Sequence, residues 1–339
     1  MLEFQNRFIL ALLSYCDQRN LSSSQLCKLS GIDFIQLKQN QSSLNPKQVN
    51  SLWNNASHLS HDELFGLHFG ESMQLAALGA IGQIVQTSTT IRDALTSACT
   101  FTPYITDMFQ MEVRQSKRTF KINFIHDPQK AVDFPFTFRH LADYLLSFVL
   151  HEMDGIILEK IAPNSIHLSY PMSNPGEYAR VLRTTRIKKA LGISMEFDSG
   201  HLSQQIISAD YELQDMLLTK IAGLNANQNQ SKLLKKRVYN YLLSNSYCSD
   251  FSQAAVAANF NTSPRTLQKK LKEEGTSFQN VVDIVRKTLA IHYLKNGSYQ
   301  LKDISGILGY NEISSFSRAF KRWTGKSPEE FRNKAHSKP

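Results

Sequence analysis

Two stretches in the last third of the chain, about fifty residues apart, repeat one pattern, and that repetition narrows the fold more than any other feature. Each sets a short apolar segment, a tight turn, and a helix whose cations lie off its apolar stripe. In Phe251–Gly275, Ala254, Ala255, Val256 and Ala258 predict a short first helix and Phe260–Thr262 a turn. Ser263 then stands as an N-cap, with Pro264 at the first helical position. Leu267 and Leu271, four apart, must face inward, which leaves Arg265, Gln268, Lys269 and Lys272, with Thr266 beside them, toward solvent. In Leu301–Trp323, Ile304 and Leu308 give a first helix its inward face, Gly309-Tyr310 the turn, and Phe316, Phe320 and Trp323 the buried stripe of a second helix. Ser314, Ser315, Arg318 and Lys321 lie largely off that stripe.

Each pattern is that of a helix-turn-helix. Arg and Lys reach guanine edges or phosphates in a major groove, Gln pairs with adenine, and small Ser side chains allow close approach. Arg318 is the leading candidate for a base or phosphate contact. Between the units, Phe278–Lys295 carries Val281, Val282, Val285, Leu289 and Leu294 on one side and reads as a single connecting helix. At a rise of about 1.5 Å per residue it spans roughly 27 Å, close to the roughly 34 Å between successive major-groove faces of one duplex. Charge points the same way. The formal net charge is +9, yet residues 232–339 hold 19 Lys and Arg against 8 Asp and Glu, and the rest of the chain 19 against 21. A basic third joined to a nearly neutral remainder predicts a polyanion-binding domain, with nucleic acid, double-stranded DNA on the helix patterns above, the first partner and an anionic membrane surface the second.

At these residues the last third resembles the DNA-binding domain of AraC-type transcription regulators. The resemblance covers about 100 residues. Its strongest part is Asp303-Ile304, Gly309-Tyr310, Ser314, Phe316-Ser317-Arg318, Phe320-Lys321-Arg322, Gly325, Pro328 and Phe331-Arg332. Ser305-Gly306 departs from the family's usual Ala followed by a non-glycine residue, and a mid-helix Gly costs about 1 kcal/mol relative to Ala. In the first unit the resemblance implies that Arg265, Gln268 and Lys269 face the groove, as the stripe requires.

Ala222–Ser231, rich in Asn, Gln, Gly and Ser, reads as a linker. It divides the chain into an α+β domain at 1–221 and an all-α domain at 232–339 that holds the two helix-turn-helix units and their connecting helix. In the front domain, helices are expected at Gln5–Gln18, Pro46–His58, Ile91–Ala98, Thr137–Met153 and Glu177–Leu191, with strands at Ile156–Leu158 and Ile166–Leu168. Alternation over Met111–Ile125 about the turn Gln115–Arg118 predicts a hairpin. Leu78-Gly79-Ala80-Ile81-Gly82, Ile91–Leu95, Tyr104 and Gly192–Leu202 resemble the N-terminal domain of the AraC subgroup named for arabinose binding. That resemblance implies an effector-binding and dimerisation domain, without naming a ligand. The aromatics around Tyr104, Phe136 and Tyr144, with Arg139 and His140 beside them, suit an apolar pocket with a cationic anchor, and so a small amphiphilic acid. The bland alternative is that they are core.

Other signals are weaker. Ser24–Lys38 mimics a helix-turn-helix but has only two Lys and one Asp, and reads as a structural hairpin. His58, His61 and His151-Glu152 complete no metal motif, and no phosphate-binding, nucleophile-elbow or dinucleotide signature is present, so neither a cofactor nor an enzyme is expected. Cys16, Cys27, Cys99 and Cys248 are scattered and read as buried thiols of a cytoplasmic, nucleoid-associated protein. The run Phe8–Leu13 is too short and poorly flanked for an export signal, and no stretch is long and apolar enough to span a membrane. The expectation is a sequence-specific regulator working as a homodimer, an activator that recruits RNA polymerase although repression by the same contacts is equally physical, controlled through its front domain by a small molecule or by self-association. The alternatives are a nonspecific architectural nucleic-acid binder and an enzyme whose basic tail merely localises it.

Overall fold

The computed structural model describes residues 2–157, 160–206, 233–244, 251–296 and 299–336. Two compact units result, with described parts 2–206 and 233–336. The linker expected at 222–231 and Cys248 lie outside the described residues.

The first unit begins with helices α1 (Leu2–Asp17), α2 (Ser23–Leu29), α3 (Phe34–Lys38), α4 (Pro46–Ser60), α5 (Phe65–Ser72), α6 (Ala80–Gln86) and α7 (Ile91–Ile105). Caps start several of them. Asn45 and Gln48 close a capping box on α4, and Thr90 and Asp93 close one on α7. The hairpin β1 (Phe109–Gln115) and β2 (Thr119–His126) follows, then α8 (Pro128–Asp133) and the long α9 (Pro135–Ile157). After β3 (Ser165–Leu168), α10 (Pro175–Leu182) crosses to the parallel strand β4 (Ile187–Lys189), and β5 (Ile193–Asp198) inserts between β2 and β3. The sheet order is β1-β2-β5-β3-β4, antiparallel except for the β3–β4 pair. Register places Phe120 opposite Phe197, Ile122 opposite Met195 and Phe124 opposite Ile193, so one face is a continuous apolar layer. The other face carries Lys121 paired with Glu196 at 3.6 Å.

Helices α5 and α9 cross at backbone contact. A Cβ added to Gly66 would overlap the His140 carbonyl, and one added to Gly70 would overlap Ser147 Oγ and the Tyr144 carbonyl. The four-residue spacing puts both glycines on the face turned to α9. Beside this crossing sits a buried ionic network. His68 Nδ1 lies 2.7 Å from Asp62 and Nε2 2.9 Å from Glu177, while Arg180 makes a bidentate pair with Glu71 at 2.8 and 2.9 Å. Burial alone would depress the His68 pKa, but the Asp62 and Glu177 carboxylates hold it up at about 9. Burial likewise opposes ionisation of Glu177, yet the hydrogen bonds from His68 and Arg180 take it down to about 2.

Two sequence expectations are corrected. Ile156 and Ile157 are the last turn of α9 and not a strand, because the apolar face of that helix continues to its end; Leu158 lies outside the described residues. The helix expected at Glu177–Leu191 stops at Leu182, where Arg183 turns left-handed at φ 57° and carries the chain into β4. Arg183 is held there by hydrogen bonds from Nη1 to Asp154 (2.7 Å) and to the Ile161 carbonyl (2.9 Å). Among the described residues, no helix is long and apolar enough to cross a membrane and no cluster of His, Cys, Asp or Glu is arranged to hold a metal.

The second unit is helical throughout its described residues: α11 (Leu234–Ser244), α12 (Gln253–Asn259), α13 (Pro264–Glu273), α14 (Phe278–Asn296), α15 (Leu301–Ile307), α16 (Ile313–Thr324) and α17 (Pro328–His336). Val281, Val282, Val285, Leu289 and Leu294 of α14 are all buried, and α11, α16 and α17 pack against that helix. The Glu274 carboxylate accepts the Leu234 and Lys235 N–H groups, both at 2.7 Å, and so caps α11 with the charge its N-terminus favours.

Two outcomes follow. Gly66→Ala lowers the stability of the first unit by roughly 1–3 kcal/mol or more, because backbone must move to admit the methyl group; an unchanged melting temperature would contradict the close crossing. His68→Gln removes a cation whose folded pKa is raised from 6.5, so the stability it supplies is complete below pH 6.5 and is lost as pH climbs through about 9. The melting-temperature gap between wild type and His68→Gln is therefore widest from about pH 4.5 to 6.5, and narrows as pH rises from 6.5 to about 9; on the acid side it shrinks as Glu177 protonates toward about 2.

Candidate nucleic-acid interface

In the first helix-turn-helix, Ser252 caps α12 by accepting the Ala255 N–H, and Val256, Ala257 and Asn259 are buried. The turn passes through Asn261 at φ 49°, a conformation Asn tolerates better than most residues. Ser263 Oγ accepts the Thr266 N–H at 3.1 Å and lies 2.8 Å from Thr266 Oγ1, so the Thr266 hydroxyl is engaged in the cap. Gln253 Nε2 donates to the Pro264 carbonyl at 2.8 Å and ties α12 to the start of α13. Leu267 and Leu271 are fully buried, while Arg265, Gln268, Lys269 and Lys272 are exposed.

The second motif has the same logic with a heavier core. Gln300 and Asp303 close a capping box on α15, and Ile304 and Leu308 are buried. Ser305, one of the two departures in this helix, is buried with its Oγ toward the Tyr310 carbonyl at 3.5 Å, so its hydroxyl serves the turn. Gly306 is exposed, and an added Cβ would touch nothing. On α16, Phe316, Ala319 and Phe320 are buried, Trp323 is half-buried, and Phe316 and Phe320 lie 5.9 Å apart. Tyr310 packs on Phe316 and Trp323, and Phe331 of α17 meets Phe320 edge-on at 5.5 Å. Ser314, Arg318 and Lys321 are exposed and Ser315 is half-buried. Arg318 Nη2 reaches Ser315 Oγ at 3.4 Å.

Among the described residues, no carboxylate pairs with Arg265, Lys269, Lys272, Arg318 or Lys321. Cations left unpaired on two capped helices form a surface suited to phosphate. Arg322, by contrast, is paired with Asp283 of α14 at 3.0 Å, and Lys287 of α14 donates to the Trp323 carbonyl at 2.8 Å. The sequence reading missed exposed Lys270, which the same cationic run could have supplied, and missed these ties from α14, which carry no motif signature.

The five residues expected to hold an effector lie in different surroundings. Tyr104 is 38% exposed near Phe4 and Phe101. Tyr144 is buried among Phe8, Phe69 and Phe148, with its hydroxyl on Met73 Sδ at 3.1 Å. Phe136 and His140 do meet, at 4.4 Å between ring centroids, but His140 is buried against Trp53 and its Nδ1 accepts the Gly66 N–H. Burial, aided by the charge of Arg139, takes the His140 pKa down to about 4. Arg139 donates to Ser173 Oγ at 2.6 Å and lies 3.9 Å from Asp143. Burial pushes Asp143 up to about 6 although Tyr170 and Tyr178 both donate to it at 2.7 Å. A different cavity opens in the same unit, with about 80 Å³ of free space. Its walls include Phe8, Val49, Met108, Phe134 and Leu141, with Lys130 on the rim.

Comparison with known proteins agrees with both units. Residues 21–205 match the arabinose-binding N-terminal domain of AraC transcription regulators, and residues 256–334 match a helix-turn-helix domain. The ornithine utilization regulator of Pseudomonas aeruginosa is 26% identical over 293 residues, 84% of this chain and 82% of that protein. The regulator VqsM of the same species is 44% identical over 85 residues, which is 25% of this chain and 26% of VqsM. The activator CfaD of Escherichia coli is 26% identical over 202 residues, 54% of this chain and 71% of CfaD. With more than half of its length matched by the N-terminal domain of these regulators and a helix-turn-helix domain behind it, the chain belongs to the AraC-type transcription regulators, DNA-binding proteins and not enzymes.

Proposed function

We propose that this regulator reads a specific operator with two helices, α13 and α16, set in successive major grooves on one side of the duplex. The observation that carries the reading is the set of unpaired cations on both helices, Arg265, Lys269 and Lys272 on one and Arg318 and Lys321 on the other, each opposite a buried stripe. Helix α14, 19 residues and about 28 Å long, supplies a spacer of the right size. Arg318, with Ser314 and Ser315 leaving room beside it, reads a base edge; Lys272 and Lys321 hold phosphates; Gln268 and Thr266 complete the first face.

The division into a domain at 1–221, a linker at 222–231 and a DNA-binding domain at 232–339 belongs to the same reading. The front domain carries dimerisation and effector control, and the DNA-bound protein, in the cytoplasm on the nucleoid, recruits RNA polymerase as an activator. The name of CfaD as an activator supports that sign. The apolar cavity near Lys130 fits the effector better than the dispersed Tyr104, Phe136, Arg139, His140 and Tyr144. Its lining mixes apolar side chains with Gln5, Thr106, Asp107 and Thr137, which suits a compact amphiphilic ligand, and Lys130 is the partner for an acidic end. That ammonium is held by Asp107 at 2.6 Å, so a ligand carboxylate binds by displacing Asp107.

Selection of random duplexes by the purified full-length protein at about 150 mM salt, followed by sequencing, tests the reading. Two short motifs about 10 base pairs apart are expected. Tight binding without enrichment would replace specific reading with architectural binding. Arg318→Ala relaxes base preference at one position by roughly 1–3 kcal/mol, whereas Lys272→Ala weakens cognate and scrambled duplexes alike. Equal losses on both duplexes for Arg318→Ala would remove its base-reading role.

A further inference from the structure

One turn of α14 faces both motifs at once. The Arg286 guanidinium lies 4.9 Å from the ring centre of Phe251 and 4.7 Å from that of Tyr310. Phe251 immediately precedes Ser252, the N-cap of α12, and so marks the entry to the first motif. Tyr310 is the turn of the second motif and packs on Phe316 and Trp323 of the recognition helix α16. Both motifs also meet other parts of the unit. The first rests on α11, where Phe260 meets Tyr241 at 5.7 Å and Arg237 at 5.3 Å. The second rests on α14 itself, through Asp283–Arg322 and Lys287 to the Trp323 carbonyl.

A guanidinium between two ring faces is drawn to both quadrupoles, and more strongly where water is excluded. Arg286 is half-buried, and its Nε is buried without a hydrogen-bond partner. Lysine could not reproduce this contact fully, because a planar cation stacks on two faces where an ammonium presents a point charge. The tie has a geometric consequence. If the first motif could shift on α11 while the second stayed fixed on α14, the separation of α13 and α16 would vary, and with it the operator spacing the protein accepts.

We propose that Arg286 is a positioning residue that clamps Phe251 and Tyr310 and thereby fixes the spacing between the two recognition helices, making the protein selective for one separation of its two DNA motifs. The inference rests on the two-groove reading above. Arg286 touches no base in this account; it acts through the rings it holds.

The test uses full-length wild type, Arg286→Met and Arg286→Lys. Methionine keeps an apolar stem and removes the charge. Binding is measured by fluorescence anisotropy on the selected duplex, on duplexes with one base pair inserted or deleted between the motifs, and on a duplex with the second motif alone. Wild type is expected to lose about tenfold or more on changed spacing, on the order of a single mismatch. Arg286→Met is expected to reduce that loss below about threefold while keeping its melting temperature and its affinity for the single motif, and Arg286→Lys to fall between. An unchanged spacing penalty in Arg286→Met overturns the proposal. So does a parallel fall in melting temperature and in binding to the single motif, which is what a merely structural arginine would give. If wild type selects a single motif, the two-groove reading fails, and the clamp is judged without DNA. Spin labels on keto-bearing amino acids at positions 273 and 329, exposed on α13 and α17, then report the distance between the motifs. A broader distance distribution in Arg286→Met than in wild type upholds the clamp, and equal widths refute it.

Discussion

A recognition helix has to be anchored on one side and left bare on the other, and the rest of the DNA-binding unit depends on how that division is met. On α13 the anchor is two leucines, Leu267 and Leu271; on α16 it is Phe316, Ala319 and Phe320 with Trp323 at the edge. Full burial of side chains this size contributes about 1.5–3 kcal/mol each, far more than the cations could offer to folding from the surface. The cations are thereby released from structural duty. Where one of them does pair, as Arg322 does with Asp283, it lies on the flank that meets α14. Which cation is free and which is bound follows from the angle each makes with the buried stripe.

The first unit uses the opposite solution: close packing where the second has exposure. Gly66 and Gly70 bring α5 against the backbone of α9, and the polar groups trapped there are satisfied among themselves. Removing one partner from such a network is costly, commonly 3–5 kcal/mol, because the other charge is left buried. Asp62, His68 and Glu177 accordingly behave as one group that links the entry to α5 with α10. Asp143, held by Tyr170 and Tyr178, does the same for α9, the end of the β3 segment and α10. The unit is stiff at its centre.

Much of this was legible in the sequence where periodicity and capping coincide. Ser263 before Pro264, the leucine pair and the aromatic stripe each admit one local answer, and the two motifs appear where those residues predict them. The hairpin was legible for the same reason, with alternation on both sides of a polar turn. Legibility failed where a long-range contact decided the outcome. Glu177–Leu191 keeps a helical pattern past Leu182, but the chain leaves the helix at Arg183 because Asp154 and the Ile161 carbonyl, both distant in sequence, hold that side chain. Ile156 reads as strand from composition and is helix because α9 buries it. The aromatic supply around residue 140 could not be sorted from sequence into core and cavity. Tyr144 went to the core, Tyr104 to the surface, and Arg139 to Asp143 and Ser173.

These placements bear on how an effector could act. A ligand shifts an equilibrium only by the difference in its affinity for two states, so it needs a part of the protein that has two arrangements. The α5–α9 crossing is a poor choice, since neither helix can slide without driving backbone into backbone. The rim of the cavity is a better one. Lys130 bridges α8 to the Asp107 carbonyl at 3.0 Å and to its carboxylate, and Asp107 is 71% exposed. Exposed pairs of this kind contribute only about 0–1 kcal/mol, so exchange of one carboxylate for another at Lys130 is energetically easy. Asp107 lies two residues before β1, which packs against α7. On the proposed reading, a ligand that released it would free the connection between that helix and the sheet while the buried network below stayed intact.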